Sequence, residues 1–162
     1  MQITSSILAA QPFFKGLSGR QIDLLFANAM PVEFPEGKPI FHEGQLANRF
    51  YLILDGEVAL ESPSAGNDGE ASLIQTIGAG DVLGWSWLFP PYYWHFDARA
   101  MKPTTAIFIY GTRVRELCEN DHDLGYELMR RTAEVVIGRL QSARRRLVGQ
   151  RETFTVADLA TT

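Results

Sequence analysis

Apolar and polar positions divide the chain into three zones. Over about residues 1–31 the pattern is helical: Ile22, Leu24, Leu25 and Phe26 supply an apolar face, and Ser18 followed by Gln21 has capping-box spacing. Pro31 is expected to close that part. From about 32 to 110 the apolar runs are short and punctuated by Gly and Pro. Pro35-Glu36-Gly37-Lys38 reads as a turn, Ile40-Phe41 as an apolar pair, and Glu43-Gly44 as a second break. Phe50 to Leu54 is strand-like, and Asp55-Gly56 is a hairpin signal leading into Val58-Ala59-Leu60. Pro63 to Gly69 reads as an exposed hairpin tip, Ser72 to Ile77 as a strand ended by Gly78-Ala79-Gly80-Asp81, and Thr104 to Tyr110 as another strand. Short strands at this density predict a sandwich or barrel.

Two further periodicities matter. Between Trp94 and Ala100 the chain alternates: His95, Asp97 and Arg99 share one face, and Trp94, Phe96, Ala98 and Ala100 the other. The apolar face should look inward, which leaves His95, Asp97 and Arg99 as a surface ion-pair group; a metal or catalytic role for His95 and Asp97 is the lesser reading. Over about 121–149 the pattern predicts one long helix, with Asp121 and Asp123 at its N-terminus and Gly149 as its C-terminal cap. Leu128, Thr132, Val136, Leu140, Ala143 and Leu147 step along one stripe. That stripe either packs on a second copy, giving a homodimer, or covers the domain's own core. Residues 150–162 form a tail, in which Thr153 to Val156 reads as a short strand or a docking segment.

Composition narrows the class. The 162 residues are 46% hydrophobic, which suits one domain around one core and excludes disorder. No apolar run approaches the roughly 20 residues of a membrane helix, so no membrane partner is expected. A single cysteine, Cys118, excludes an intrachain disulfide and fits a reducing cytoplasm, where it reads as a small buried hydrophobe. Three histidines and one cysteine leave little for a zinc site. The net charge of −4 argues against nucleic acid, and Arg144-Arg145-Arg146 suits a helix C-terminus as well as a phosphate backbone. An enzyme would need an acid–base pair or nucleophile, and the dispersed Glu, Asp and His show no such spacing.

The zones and their motifs resemble the cyclic nucleotide-binding domain family over nearly the whole chain. Phe13 to Ser18 is similar to the family's opening, Pro35 to Gly44 to its first turn unit, and Phe50 to Val58 to the hairpin after it. Gly80-Asp81-Val82-Leu83-Gly84, followed by Leu88-Phe89, sits where the family's phosphate-binding cassette sits. The resemblance implies a mainly β fold with flanking helices: a double-stranded β-helix, or jelly-roll-like β-roll, behind N-terminal helices and ahead of a long C-terminal helix.

The cassette departs from the family's pattern. In its cyclic-AMP receptors a glutamate follows the glycine and takes the ribose hydroxyl, and a later arginine pairs with the cyclic phosphate. Here Trp85 follows Gly84, and the arginine's place falls on Tyr93 or Trp94. Losing a charge-assisted arginine contact from a partly buried site costs on the order of 2–5 kcal/mol, so tight cyclic-AMP binding in the usual mode is not expected. The resemblance implies a ligand segment of Gly84, Trp85, Ser86, Trp87, Leu88, Tyr93 and Trp94, with Arg144 of the long helix placed to meet a base. A short helix at about Trp85 to Phe89 would still aim backbone N–H groups at a phosphate. Three readings stay open: Trp85, Tyr93 and Trp94 fill the cavity; they line a pocket for another flat or partly apolar ligand; or a weak cyclic-nucleotide affinity persists. No resident cofactor is expected. The function implied is a non-catalytic regulatory or sensory module. Many family regulators carry a helix-turn-helix domain after the long helix. Gln150 to Thr162 is too short for one, so a protein partner in trans is the expectation.

Overall fold

The computed structural model describes residues 1–63 and 72–159, with side chains through residue 149. The N-terminal part is helical as expected, in three pieces: α1 (Ser5–Ala9), a 3-10 turn (Pro12–Phe14) and α2 (Gly19–Phe26). The capping box forms as its spacing predicts. Ser18 Oγ accepts from the Gln21 N–H at 3.1 Å, and Gln21 Oε1 accepts from the Ser18 N–H at 2.9 Å. Pro31 does not close a helix. It lies inside strand β1 (Ala29–Phe34), and β1 is an edge strand, where a missing N–H breaks no inner ladder.

The remaining strands are β2 (Pro39–Phe41), β3 (Arg49–Asp55), β4 (Glu57–Ser62), β5 (Ser72–Gly78), β6 (Val82–Leu83), β7 (Asp97–Ala100) and β8 (Thr104–Tyr110). They form two four-stranded antiparallel sheets, ordered β1-β8-β3-β6 and β2-β7-β4-β5. This is the expected jelly-roll-like β-roll. Asp55-Gly56 is not a hairpin, however. β3 and β4 belong to different sheets, and the dipeptide is the corner where the chain crosses between them. Gly56 has φ +114°, and a β-carbon there would stand 2.4 Å from Thr104 Oγ1, so the corner needs glycine for both conformation and space. The true hairpin is β4–β5; beyond Pro63, its expected tip lies outside the described residues.

Both faces of β3 are buried, which explains why it reads as a continuous apolar run. Tyr51 and Ile53 point between the sheets, with Phe41, Leu60, Leu83 and Trp94. Phe50 and Leu52 point outward onto the helices, against Phe14, Leu25, Trp87 and Leu128.

After β8 comes α3 (Gly111–Asn120), which the zonal reading left unassigned, then α4 (His122–Leu159). Asp121 Oδ1 accepts from the Leu124 N–H at 3.2 Å at the start of α4. Gly149 is not its cap: α4 runs through it, and residues 153–156 are helical rather than a strand. The expected stripe also divides. Leu128 and Thr132 are buried against the domain, whereas Leu140 and Leu147 are exposed. The domain side of α4 instead carries Leu124, Leu128, Thr132, Val135 and Arg139. Among the described residues, no helix is long and apolar enough to cross a membrane.

Candidate functional site

The segment from Gly84 to Trp94 leaves β6, makes a 3-10 turn (Ser86–Leu88), and returns toward β7. The expected short helix is thus a single 3-10 turn, which offers no sustained row of N–H groups. Gly84 has φ +95°, and a β-carbon on it would meet Trp94 Cζ3 at 2.8 Å. Trp94 is 2% exposed and lies flat on Phe41, with ring centroids 3.8 Å apart and planes 8° apart. Its indole therefore fills the space over the Gly84 backbone. Trp87 turns the other way, to the helical side, where it stacks on Phe50 at 4.6 Å.

Trp85 is half-buried, stacked on the His95 ring at 4.8 Å and edge-on to Phe89. Ser86 is buried, and its hydroxyl bonds His95 Nδ1 at 2.9 Å. Leu88 is half-buried on the helical side. Tyr93 is 49% exposed on the rim, bridged only to Leu46, so among the three expected fillers it stays outside. Arg144 is exposed on α4, in a groove with Gln141 and Arg145 rather than with this segment.

The outward trio behaves as alternation predicts in direction but not in pairing. Arg99 pairs with Glu61 of the neighbouring strand at 2.8 Å, and that contact holds its guanidinium above its ordinary pKa. Asp97 Oδ1 accepts from the Glu43 N–H at 2.7 Å, and its Oδ2 stands 3.6 Å from His42 Nδ1. His95, between Ser86 and Trp85, joins neither. Among the described residues no group of three or more His, Cys, Asp or Glu is placed to hold a metal.

One relevant cation went unread in the sequence. Arg49, at the start of β3, donates to Tyr51 Oη at 2.7 Å, Asn48 Oδ1 at 3.0 Å and the Ile40 carbonyl at 3.3 Å. Its guanidinium carbon lies 5.6 Å from the Trp94 ring centre. Period-2 alternation with Tyr51 and Ile53 was the signal that places it on the inner face. Trp94 Nε1 is buried and has no hydrogen-bond partner among the described residues.

A two-sheet roll with a glycine-led segment between β6 and β7, backed by a long helix, defines the class as a jelly-roll-like β-roll domain. Residues 31–121 match the cyclic nucleotide-binding domain profile, and the chain belongs to that family. A Geobacter metallireducens protein, provisionally described as a cyclic nucleotide-binding protein, is 32% identical with a TM-score of 0.77, over 86% of this chain and 99% of that one. The chain is 27% identical to the CRP-like cAMP-activated global transcriptional regulator of Mycobacterium tuberculosis, over 76% of this chain and 54% of the relative. It is 28% identical to the cyclic AMP receptor protein of Thermus thermophilus, over 78% and 60%. The chain thus spans a little over half the length of the curated relatives it matches.

Proposed function

We propose that this chain is a non-catalytic regulatory module whose cassette pocket is filled by its own side chains, so that it does not bind cyclic AMP tightly. The observation that carries this reading is the Gly84–Trp94 contact: the indole occupies the volume over the glycine and stacks on Phe41, at the position the resemblance gives to a phosphate-pairing arginine or its neighbour. By the same resemblance Trp85 takes the place of the ribose-binding glutamate, and its ring lies on His95. The curated relatives are a cAMP-activated transcriptional regulator and a cyclic AMP receptor, which supports a regulatory rather than catalytic role.

Partners follow from α4. Tyr126, Met129, Ile137, Leu140 and Leu147 leave exposed apolar side chains along one outer side of the helix. The reading is a homodimer through this side, with signals passed to a protein partner in trans.

A second reading has one observation in its favour. Among the described residues the buried Trp94 Nε1 lacks a hydrogen-bond partner beside Arg49, which bonds neutral oxygens, as a site for a flat, partly apolar ligand with an acceptor group would require.

The test is a thermal-shift titration with cyclic AMP and cyclic GMP to millimolar concentration. A ligand at a hundred times its Kd adds about 2.7 kcal/mol, roughly 5–10 °C for a chain of this size. The expected result is no saturable shift for the unaltered chain and a shift in the Trp85→Glu, Trp94→Arg double variant. A saturable shift in the unaltered chain overturns the filled-pocket reading.

A further inference from the structure

A cavity between the Pro12–Phe14 turn, the β5–β6 connection and α4 shares no residue with the Gly84–Trp94 segment, although Gly80, Asp81 and Val82 at the head of the cassette line it. Its volume is about 570 Å³, within the range of small-molecule sites. The α4 wall is opened by Gly138, where a β-carbon would meet nothing within 4 Å. Four cations line it: Lys15, Arg130, Arg131 and Arg139.

Two of the four are matched. Arg130 bonds Glu127 and Glu134, and Arg131 bonds Glu127 and the Phe13 carbonyl. Lys15 and Arg139 have no hydrogen-bonded carboxylate among the described residues. Arg139 reaches the Val82 carbonyl through Nη2, while its Nη1 is buried with no hydrogen-bond partner among the described residues. Burial pushes its pKa down to about 10, opposed only by the through-space charge of Asp81. The Asp81 carboxylate is itself turned to the Gly78 N–H, at 2.9 Å. A guanidinium drawn out of water without a bound carboxylate is costly unless an anion completes it.

We propose that this cavity binds a small, multiply charged oxyanion, of the chemistry a phosphate ester or a polycarboxylate presents, with Lys15 and Arg139 as its cationic contacts. The site goes beyond the cassette reading and does not depend on it. Bound there, the anion would bridge α4 to the end of the Pro12–Phe14 turn.

The experiment is calorimetric titration of the full chain with pyrophosphate and, separately, with citrate, at ionic strength matched by sodium chloride. Saturable binding of one molecule per chain is expected for at least one probe, and which probe binds assigns the phosphate or the carboxylate source. Lys15→Gln and Arg139→Gln should each weaken binding roughly tenfold or more, while Arg144→Gln, in a separate groove, leaves it unchanged. Lys15 is exposed, so its variant keeps the fold and the test valid even if Arg139→Gln unfolds. No saturable heat with either probe overturns the proposal, as does full affinity in Lys15→Gln, or an equal loss in Arg144→Gln, which would mark diffuse attraction. The cyclic-nucleotide titration reads the other pocket, so the two can fail separately.

Discussion

The β-carbon that Gly84 lacks would stand 2.8 Å from the Trp94 indole, closer than side-chain carbons approach. The glycine and the tryptophan are thus fitted to one another, and neither can change alone. Gly84 also holds φ +95°, which an alanine adopts only with strain. Gly84→Ala should destabilise the fold by about 2–4 kcal/mol, read by urea denaturation. In a Trp94→Ala background the steric part should vanish and the penalty shrink to about 1 kcal/mol. Equal penalties in both backgrounds would refute the fitted pair.

Acid stability should depend on two carboxylates at the start of α4. The Leu124 N–H, aided by Arg20, holds Asp121 below the usual carboxylate range, and Arg130 and Arg131 do the same for Glu127. Both are more acidic folded than unfolded. Their stabilisation is therefore present above the ordinary carboxylate range and lost as pH falls through the lowered folded values. Denaturation midpoints measured from pH 7 to 3 should fall less steeply in an Asp121→Asn, Glu127→Gln variant than in the unaltered chain.

Cys118 should be a slow thiol. Burial, with Asp121 and Glu119 nearby, pushes its pKa up to about 11. At pH 8 its thiolate fraction falls roughly 100-fold below that of a free cysteine. Iodoacetamide labelling of the folded chain should be slower by about that factor and should recover in denaturant.

Leu140 is 67% exposed on the outer side of α4, so its loss costs the isolated fold little. Leu140→Glu should leave the melting of the roll within about 0.5 kcal/mol while converting a dimer to a monomer in sedimentation velocity. An unaltered chain that sediments as a monomer at micromolar concentration would remove the dimer.

What could be read in the sequence was local. Ser18 and Gln21 announce a helix start because both halves of a capping box lie three residues apart, and residues 94–100 announce a one-sided strand because burial alternates with the pleat. The Asp55-Gly56 corner was misread because a glycine with positive φ serves a hairpin and a sheet crossing alike; only Thr104, far along the chain, distinguishes them. Gly149 was misread as a cap because glycine permits a helix to end but does not oblige it to. Arg49 escaped notice because a charged residue at a strand start reads as solvent-facing, and nothing nearby tells that Trp94 will come to rest beside it. The aromatic substitution in the cassette was visible at once; that Trp94 turns inward and Tyr93 outward was not, since a one-residue ambiguity in the loop reverses which of them faces the core.

The pairing of β8 with both β1 and β3 has a consequence for how the chain is made. On a ribosome, β1 and β3 emerge long before the strand that joins them, and at roughly 5–20 residues per second the wait lasts seconds. Within that interval the β4–β5 hairpin is the pairing its own neighbours can complete. The order β1-β8-β3-β6 therefore cannot be completed until β8 has been made, although β6, which pairs with β3 from the other side, precedes it.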